Sequence, residues 1–205
     1  MPKRFVSMLV TMLVLAICLT VNAAAAEEAT ETLTIKGDGV SREMTFSRAE
    51  LEAMQAGIVQ TVYSATNNYP SNKTMYRRGI SLEYLLAQAG LKDSAKVLKF
   101  TSSDGYSRTF TRQELLTDAR YYFADPGTAA PVPAIIAWAD SSKGFDTMAE
   151  MELALTMGQR VKEEQTHPWF VKYLQTIEVS TTAPEQWPPV TFSKAPGPNG
   201  VSVAM

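Results

Sequence analysis

Between residues 33 and 179 the apolar positions come in short runs separated by polar and glycine-containing turns. Leu33-Thr34-Ile35 and Glu43 to Phe46 have strand character and flank Gly37-Asp38-Gly39, which predicts a hairpin with glycines where positive φ is needed. Ser47 opens S-R-A-E, a capping box with Glu50, and Leu51 and Met54 give the following helix an apolar face. Ile58 to Tyr63 reads as a strand. The stretch from Tyr63 to Tyr76 reads as a long polar, aromatic loop, and loops of that length are often functional. Ser81 caps a helix carrying Leu82, Leu85, Leu86 and Ala89, and Gly90 stops it. Val97 to Phe100 is a buried strand, Pro133 to Trp138 a short apolar strand, and Asp140 to Asp146 a polar turn. Glu152 to Met157 alternates like a half-buried strand, Thr166 caps a short helix with Pro168 near its first position, and Leu174 to Val179 closes the domain as a strand. Short strands with interspersed short helices predict a mixed α+β domain.

One echo runs through this pattern. Residues 39–51 (G-V-S-R-E-M-T-F-S-R-A-E-L) and 105–115 (G-Y-S-R-T-F-T-R-Q-E-L) both read as glycine turn, strand and capped helix, with Thr111 and Glu114 forming the second box. The spacing does not continue, so one supersecondary solution used twice is preferred to duplication.

The two ends have a different character. Lys3 and Arg4 precede an apolar stretch from Phe5 to Val21, and small residues lead to Ala26, so residues 1–26 read as a secretory signal cleaved after Ala26. Residues 27–180 form the domain, and 181–205, with five prolines, an extended tail. The expected location is the periplasm or cell exterior, with no stable membrane span after cleavage. Nineteen Lys and Arg face 21 Asp and Glu. Loss of Lys3 and Arg4 with the leader gives a mature net charge of about −4, which argues against nucleic acid or an anionic membrane as partner. Cys18 is the single cysteine and leaves with the leader. The mature chain then has no disulfide, thiolate nucleophile or cysteine-bound metal.

Few residue patterns carry chemistry by themselves. Asp104-Gly105 is a turn signal at a strand end, where loops converge on ligands, and Tyr106 adds a flat apolar face with a polar tip. Arg77, Arg78, Arg108 and Lys172 are the types that hold phosphate, although solvated arginines and a plain hairpin turn explain the same residues. His167, the single histidine, follows Glu163 and Glu164 and fits a helix boundary better than a metal site; Met148 and Met151 fit core filler better than copper(I) ligands. No G-x-S-x-G, H-E-x-x-H, P-loop or dinucleotide fingerprint is present.

Three blocks taken together are more specific. Arg78-Gly79-Ile80-Ser81-Leu82 leads to Leu85-Leu86 and Ala89-Gly90; Phe100 to Ser102 leads to Asp104-Gly105-Tyr106; Leu153 to Gln159 leads to Phe170, Lys172 and Ile177-Glu178-Val179. In this order they resemble the molybdopterin-binding domain of the sulfite-oxidase family. The resemblance implies a sulfite-oxidase-type mixed sheet with short helices and a molybdopterin pocket. In that family the loop before the helix carries a molybdenum-binding cysteine, and here Ser64 lies near that position. A hydroxyl does not ionise near neutral pH and is a poor ligand for a redox metal. The family's enzymes load their cofactor before export and use a twin-arginine signal, whereas this leader reads Lys3-Arg4-Phe5.

The resemblance therefore implies a pocket lined by Tyr63, Ser64, Asn67, Asn68, Arg78, Asp104, Gly105, Tyr106 and Lys172, without a metal ligand. The leading expectation is a divergent, non-catalytic binder of a small, pterin-like molecule, with molybdopterin possible and molybdenum doubtful. The alternatives are an active molybdopterin oxidoreductase with a non-cysteine metal environment, or an envelope domain with an empty pocket that engages a redox or structural partner protein.

Overall fold

A computed structural model describes residues 31–183, apart from 68, 70, 125, 126 and 128. The signal, most of the tail and Asn68 lie outside the described residues. Eleven strands are described, nine of them in two larger sheets. The first sheet has the order β2-β1-β11-β5-β6, from β1 (Thr32–Lys36), β2 (Met44–Ser47), β5 (Val97–Ser102), β6 (Ser107–Thr111) and β11 (Leu174–Ser180). The second has the order β10-β9-β4-β3, from β3 (Ile58–Thr66), β4 (Asn72–Ser81), β9 (Ile135–Ser141) and β10 (Ala149–Thr156). A small hairpin, β7 (Tyr121–Phe123) with β8 (Ala129–Pro131), lies beside β3. The strands β1 and β11 run parallel and the other pairs antiparallel, so the sheet is mixed, as expected.

The helices are short and follow their caps. The Ser47 hydroxyl accepts from the Glu50 amide, and the Glu50 carboxylate accepts from the Ser47 amide at 2.7 Å, starting α1 (Arg48–Ala53). Ser81 accepts from the Tyr84 amide and starts α2 (Leu82–Gln88), whose Leu82, Leu85 and Leu86 are fully buried. Each of these leucines contributes about 1.5–3 kcal/mol by burial, which fixes α2 beside β4 in the core. Leu33, Ile35, Phe100, Ile177, Ile80, Ile136 and Leu155 join them in one apolar core.

The echo maps onto the fold. The hairpins β1–β2 and β5–β6 occupy the two edges of the first sheet with β11 between them. Thr111 and Glu114 make their reciprocal bonds, but the element that follows is a single π-type turn, Gln113–Thr117, instead of an α-helix.

Two expectations change. The stretch from Tyr63 to Tyr76 is no long loop: β3 and β4 form one hairpin, paired from Ile58↔Ile80 to Thr66↔Asn72. The period-2 signal was masked because an arginine, Arg77, occupies an inward position between buried Met75 and Gly79, while polar Ser64 and Thr66 are also buried. The Thr166 side chain makes no cap bond; its hydroxyl is buried and unpaired among the described residues. A 3-10 turn, His167–Trp169, follows it.

Candidate functional site

The eight described residues of those expected to share one pocket fall into separate environments. Tyr63 is fully buried, and its hydroxyl donates to the Pro133 carbonyl at 2.8 Å; burial pushes the phenol pKa far above its ordinary value. It is a core group with no face left for a ring ligand.

Ser64 is 4% exposed and fully committed. Its hydroxyl donates to Gln159 Oε1 at 2.6 Å and accepts from the Phe123 amide at 2.9 Å. The Gln159 amide nitrogen donates in turn to the carbonyls of Lys162 and Glu164, both at 2.8 Å, and to the Thr66 hydroxyl at 3.2 Å. The Gln159 backbone exchanges two hydrogen bonds with Tyr121. Beneath this segment the buried Arg120 pairs with Glu164 at 3.4 Å and donates to the carbonyls of Glu114 and Gly158 at 2.7 and 2.9 Å. The glycine turn at Gly158-Gln159 thus folds back over Ser64 and closes it in.

Asn67, at the hairpin tip, accepts from the Ser71 hydroxyl at 3.0 Å and serves the turn itself. Arg78 pairs in register with Gln60, four residues from the Ser64↔Thr74 pair. At about 3.3 Å per residue that separates the two by about 13 Å along the strand. Arg78 is exposed in a groove of about 290 Å³ with Glu52, Gln60, Trp138, Phe145 and Glu150.

Asp104, Gly105 and Tyr106 form the β5–β6 turn. Asp104 Oδ1 accepts from the Tyr106 amide at 2.9 Å, and that bond, with a weaker one involving Ser102, holds the carboxyl below its usual range. Gly105 has φ +87°, and a Cβ there would meet nothing within 4 Å, so glycine answers the turn and not a close approach. The Tyr106 hydroxyl donates to the Pro168 carbonyl at 3.2 Å, which brings this turn to the 167–173 segment carrying the exposed Lys172. Tyr106 and Lys172 are therefore neighbours of one segment, whereas Ser64 and Arg78 are not part of that group.

Two residues outside the expected nine, Arg77 and His167, matter more than the pattern suggested. Arg77 is 7% exposed and faces Asp140 at 3.5 Å. Burial holds its guanidinium pKa below the ordinary value, with Asp140 opposing. His167 lies where Lys73, Lys172 and Arg77 all act on it. Burial first, and those three cations next, hold the imidazole pKa below 6.5. Arg108 is engaged elsewhere, stacked over Trp169 at 4.8 Å and Phe110 at 5.5 Å. The Met151 sulfur is in contact with Arg77, which leaves no copper site with His167. No group of three or more His, Cys, Asp or Glu is placed to hold a metal among the described residues.

No protein-family model and no curated protein matches the chain. Among solved structures it is similar to the sulfane dehydrogenase SoxCD from Paracoccus pantotrophus, with TM-score 0.51 and 16% identity. The match covers 76% of this chain and 39% of that one. The shared feature is the fold, and it supports a distant relationship.

Proposed function

We propose that the chain is an exported, non-catalytic small-ligand-binding domain on the sulfite-oxidase-type molybdopterin-binding fold. The likeness to a sulfane dehydrogenase supports the fold part of this reading. The observation that carries the functional part is the state of Ser64. Where the resemblance calls for a thiolate, the hydroxyl is buried and spent on Phe123 and Gln159.

The residues present do not fit molybdenum. A metal ligand at Ser64 would need the hydroxyl deprotonated and turned away from both partners. It would leave a buried amide N–H and a buried amide carbonyl unpaired, at a cost of about 1–3 kcal/mol each. No cysteine follows Cys18 to offer a replacement. A pterin-like ring fares little better at this place, because Tyr63 is core and Asn67 is used by the hairpin tip. Of the residues expected to line a pocket, Arg78, Asp104, Gly105, Tyr106 and Lys172 are open to solvent, and the small ligand is assigned to the side where Tyr106 meets the 167–173 segment.

The test is elemental and pterin analysis of the mature protein purified from cells that make the molybdenum cofactor. The expected result is no molybdenum and no oxidised-pterin fluorescence in stoichiometric amount, with a small molecule released on denaturation. One molybdenum per chain would overturn the proposal in favour of an active oxidoreductase.

A further inference from the structure

We infer that the small ligand is a compact organic cation, an ammonium compound held by Tyr173 and Glu152 in a cavity at the end of the first sheet. The inference deepens the small-ligand reading above and rests on it.

Two segments meet twice at this end of the molecule. The Tyr106 hydroxyl donates to the Pro168 carbonyl, and the Ser103 amide donates to the Tyr173 carbonyl at 2.9 Å. Here β1 and β11 start and β5 finishes, with Leu174 paired to Ser102. Between them lies a cavity of about 380 Å³, lined by Glu31, Thr32, Ser103, Glu152, Tyr173 and Gln175 together with Leu174. Small-molecule sites span about 300–1,000 Å³, so a compact ligand is in range.

Tyr173 is held in an unusual way. Among the described residues it is the one non-glycine with positive φ, at +51°. A bulky side chain is an outlier in that region and persists only where the surroundings fix it. They do so on both sides. The Val171 carbonyl accepts from the Leu155 amide at 2.9 Å, the Tyr173 carbonyl accepts from Ser103, and Val171 and Leu174 are buried. The chain is pinned around a tyrosine that is itself 46% exposed. Its ring has no aromatic or cationic partner and its hydroxyl no hydrogen bond among the described residues. A glycine or asparagine would answer the backbone alone more easily.

The charges of the cavity have one sign. No lysine or arginine lines it among the described residues. Glu31 is occupied: Oε1 accepts from the Leu153 amide at 2.7 Å, and Oε2 faces Arg48 at 3.3 Å. Arg48 is shared with Glu52 and Glu150, at 2.9 and 3.9 Å, so it does not overcompensate this wall. Glu152 is exposed and has no hydrogen bond or ion pair among the described residues. A free carboxylate attracts a cation and repels an anion, and a tyrosine face adds attraction through its ring quadrupole. Quaternary ammonium ligands use both. The Ser103 and Thr32 hydroxyls and the Gln175 amide supply polar contacts for the rest of such a molecule.

The test separates charge from shape. The amide NMR signals of Ser103 and Tyr173 are followed while choline is added at fixed ionic strength. The same titration is repeated with its neutral tert-butyl analogue, in which carbon replaces the charged nitrogen. The expected result is a saturable choline response, with the neutral analogue weaker by about tenfold or more. Glu152→Gln and Tyr173→Asn each weaken choline binding by about tenfold, asparagine being chosen because it tolerates positive φ. Tyr173→Phe keeps the ring and retains binding. Glu83→Gln, at an exposed position on α2, leaves it unchanged. If Tyr173→Asn fails to fold, Glu152→Gln and Tyr173→Phe carry the comparison. No saturable response to choline, an equal response to the neutral analogue, or unchanged binding in Glu152→Gln overturns the cation site. A small molecule recovered from the native protein without any choline response would overturn this inference and leave the small-ligand reading standing. Neither a recovered molecule nor a response would overturn both.

Discussion

The Ser64 hydroxyl and the Gln159 side chain are hydrogen-bonded although they are 95 residues apart in the chain. Removing the hydroxyl while keeping the shape strands the Phe123 amide and the Gln159 carbonyl. Ser64→Ala is expected to cost about 1–3 kcal/mol in chemical denaturation, with faster hydrogen exchange at Phe123. Retention of full stability and of Phe123 protection would show that the network is not structural. His167 supplies a second residue-level prediction. Its folded pKa lies below the unfolded value of 6.5, so the unfolded chain binds more protons just below that pH. Stability is therefore complete above about pH 6.5 and falls as the pH drops through the folded pKa. His167→Gln should remove that slope in thermal melts recorded across the acid range. A single sequence reveals neither feature. Ser64 looks like any loop serine until Gln159 is folded onto it, and Arg77 looks solvated until β4 turns it inward.

At the scale of elements, strands and caps were largely legible and the hairpin was not. The Ser47, Ser81 and Thr111 caps are local, three-residue relations that the chain states directly. Thr111→Ala is expected to cost about 1 kcal/mol, comparable to Ser47→Ala, because both lose the same reciprocal pair. Equilibrium unfolding of the two variants checks it. The β3–β4 hairpin was hidden because its stability comes from neighbours distant in sequence. Gly79 shows this most clearly. It sits at the irregularity where β4 meets β9, and a Cβ there would lie 2.2 Å from the Ile136 carbonyl oxygen. The obstruction is backbone, which cannot rotate away. Gly79→Ala is therefore expected to cost about 3 kcal/mol or more, the upper range for overpacking. A variant of unchanged stability would show that the two strands separate without penalty. The glycine that marked the helix approach in the sequence is in fact the contact that lets two central strands close.

For the whole molecule, the order of the three sequence blocks was better evidence for a fold than for a pocket. The blocks lie on core elements: β4 and α2, the β5–β6 hairpin, and β10 with β11. Their spacing reflects how two sheets and one helix share a core, and the likeness to the sulfane dehydrogenase structure lies at that level. The pocket residues inferred from the same blocks divided, because a hairpin turn, a buried phenol and an exposed arginine can keep a motif's letters while pointing to different places. The central claim is that this fold is kept while its metal position is closed and a small ligand binds elsewhere. Native mass spectrometry of the mature protein, purified from cells that make the molybdenum cofactor, compares folded and denatured masses in one measurement. The predicted result is a non-covalent mass increment from a small molecule with no molybdenum isotope pattern. An increment carrying that pattern, at one per chain, would contradict the account.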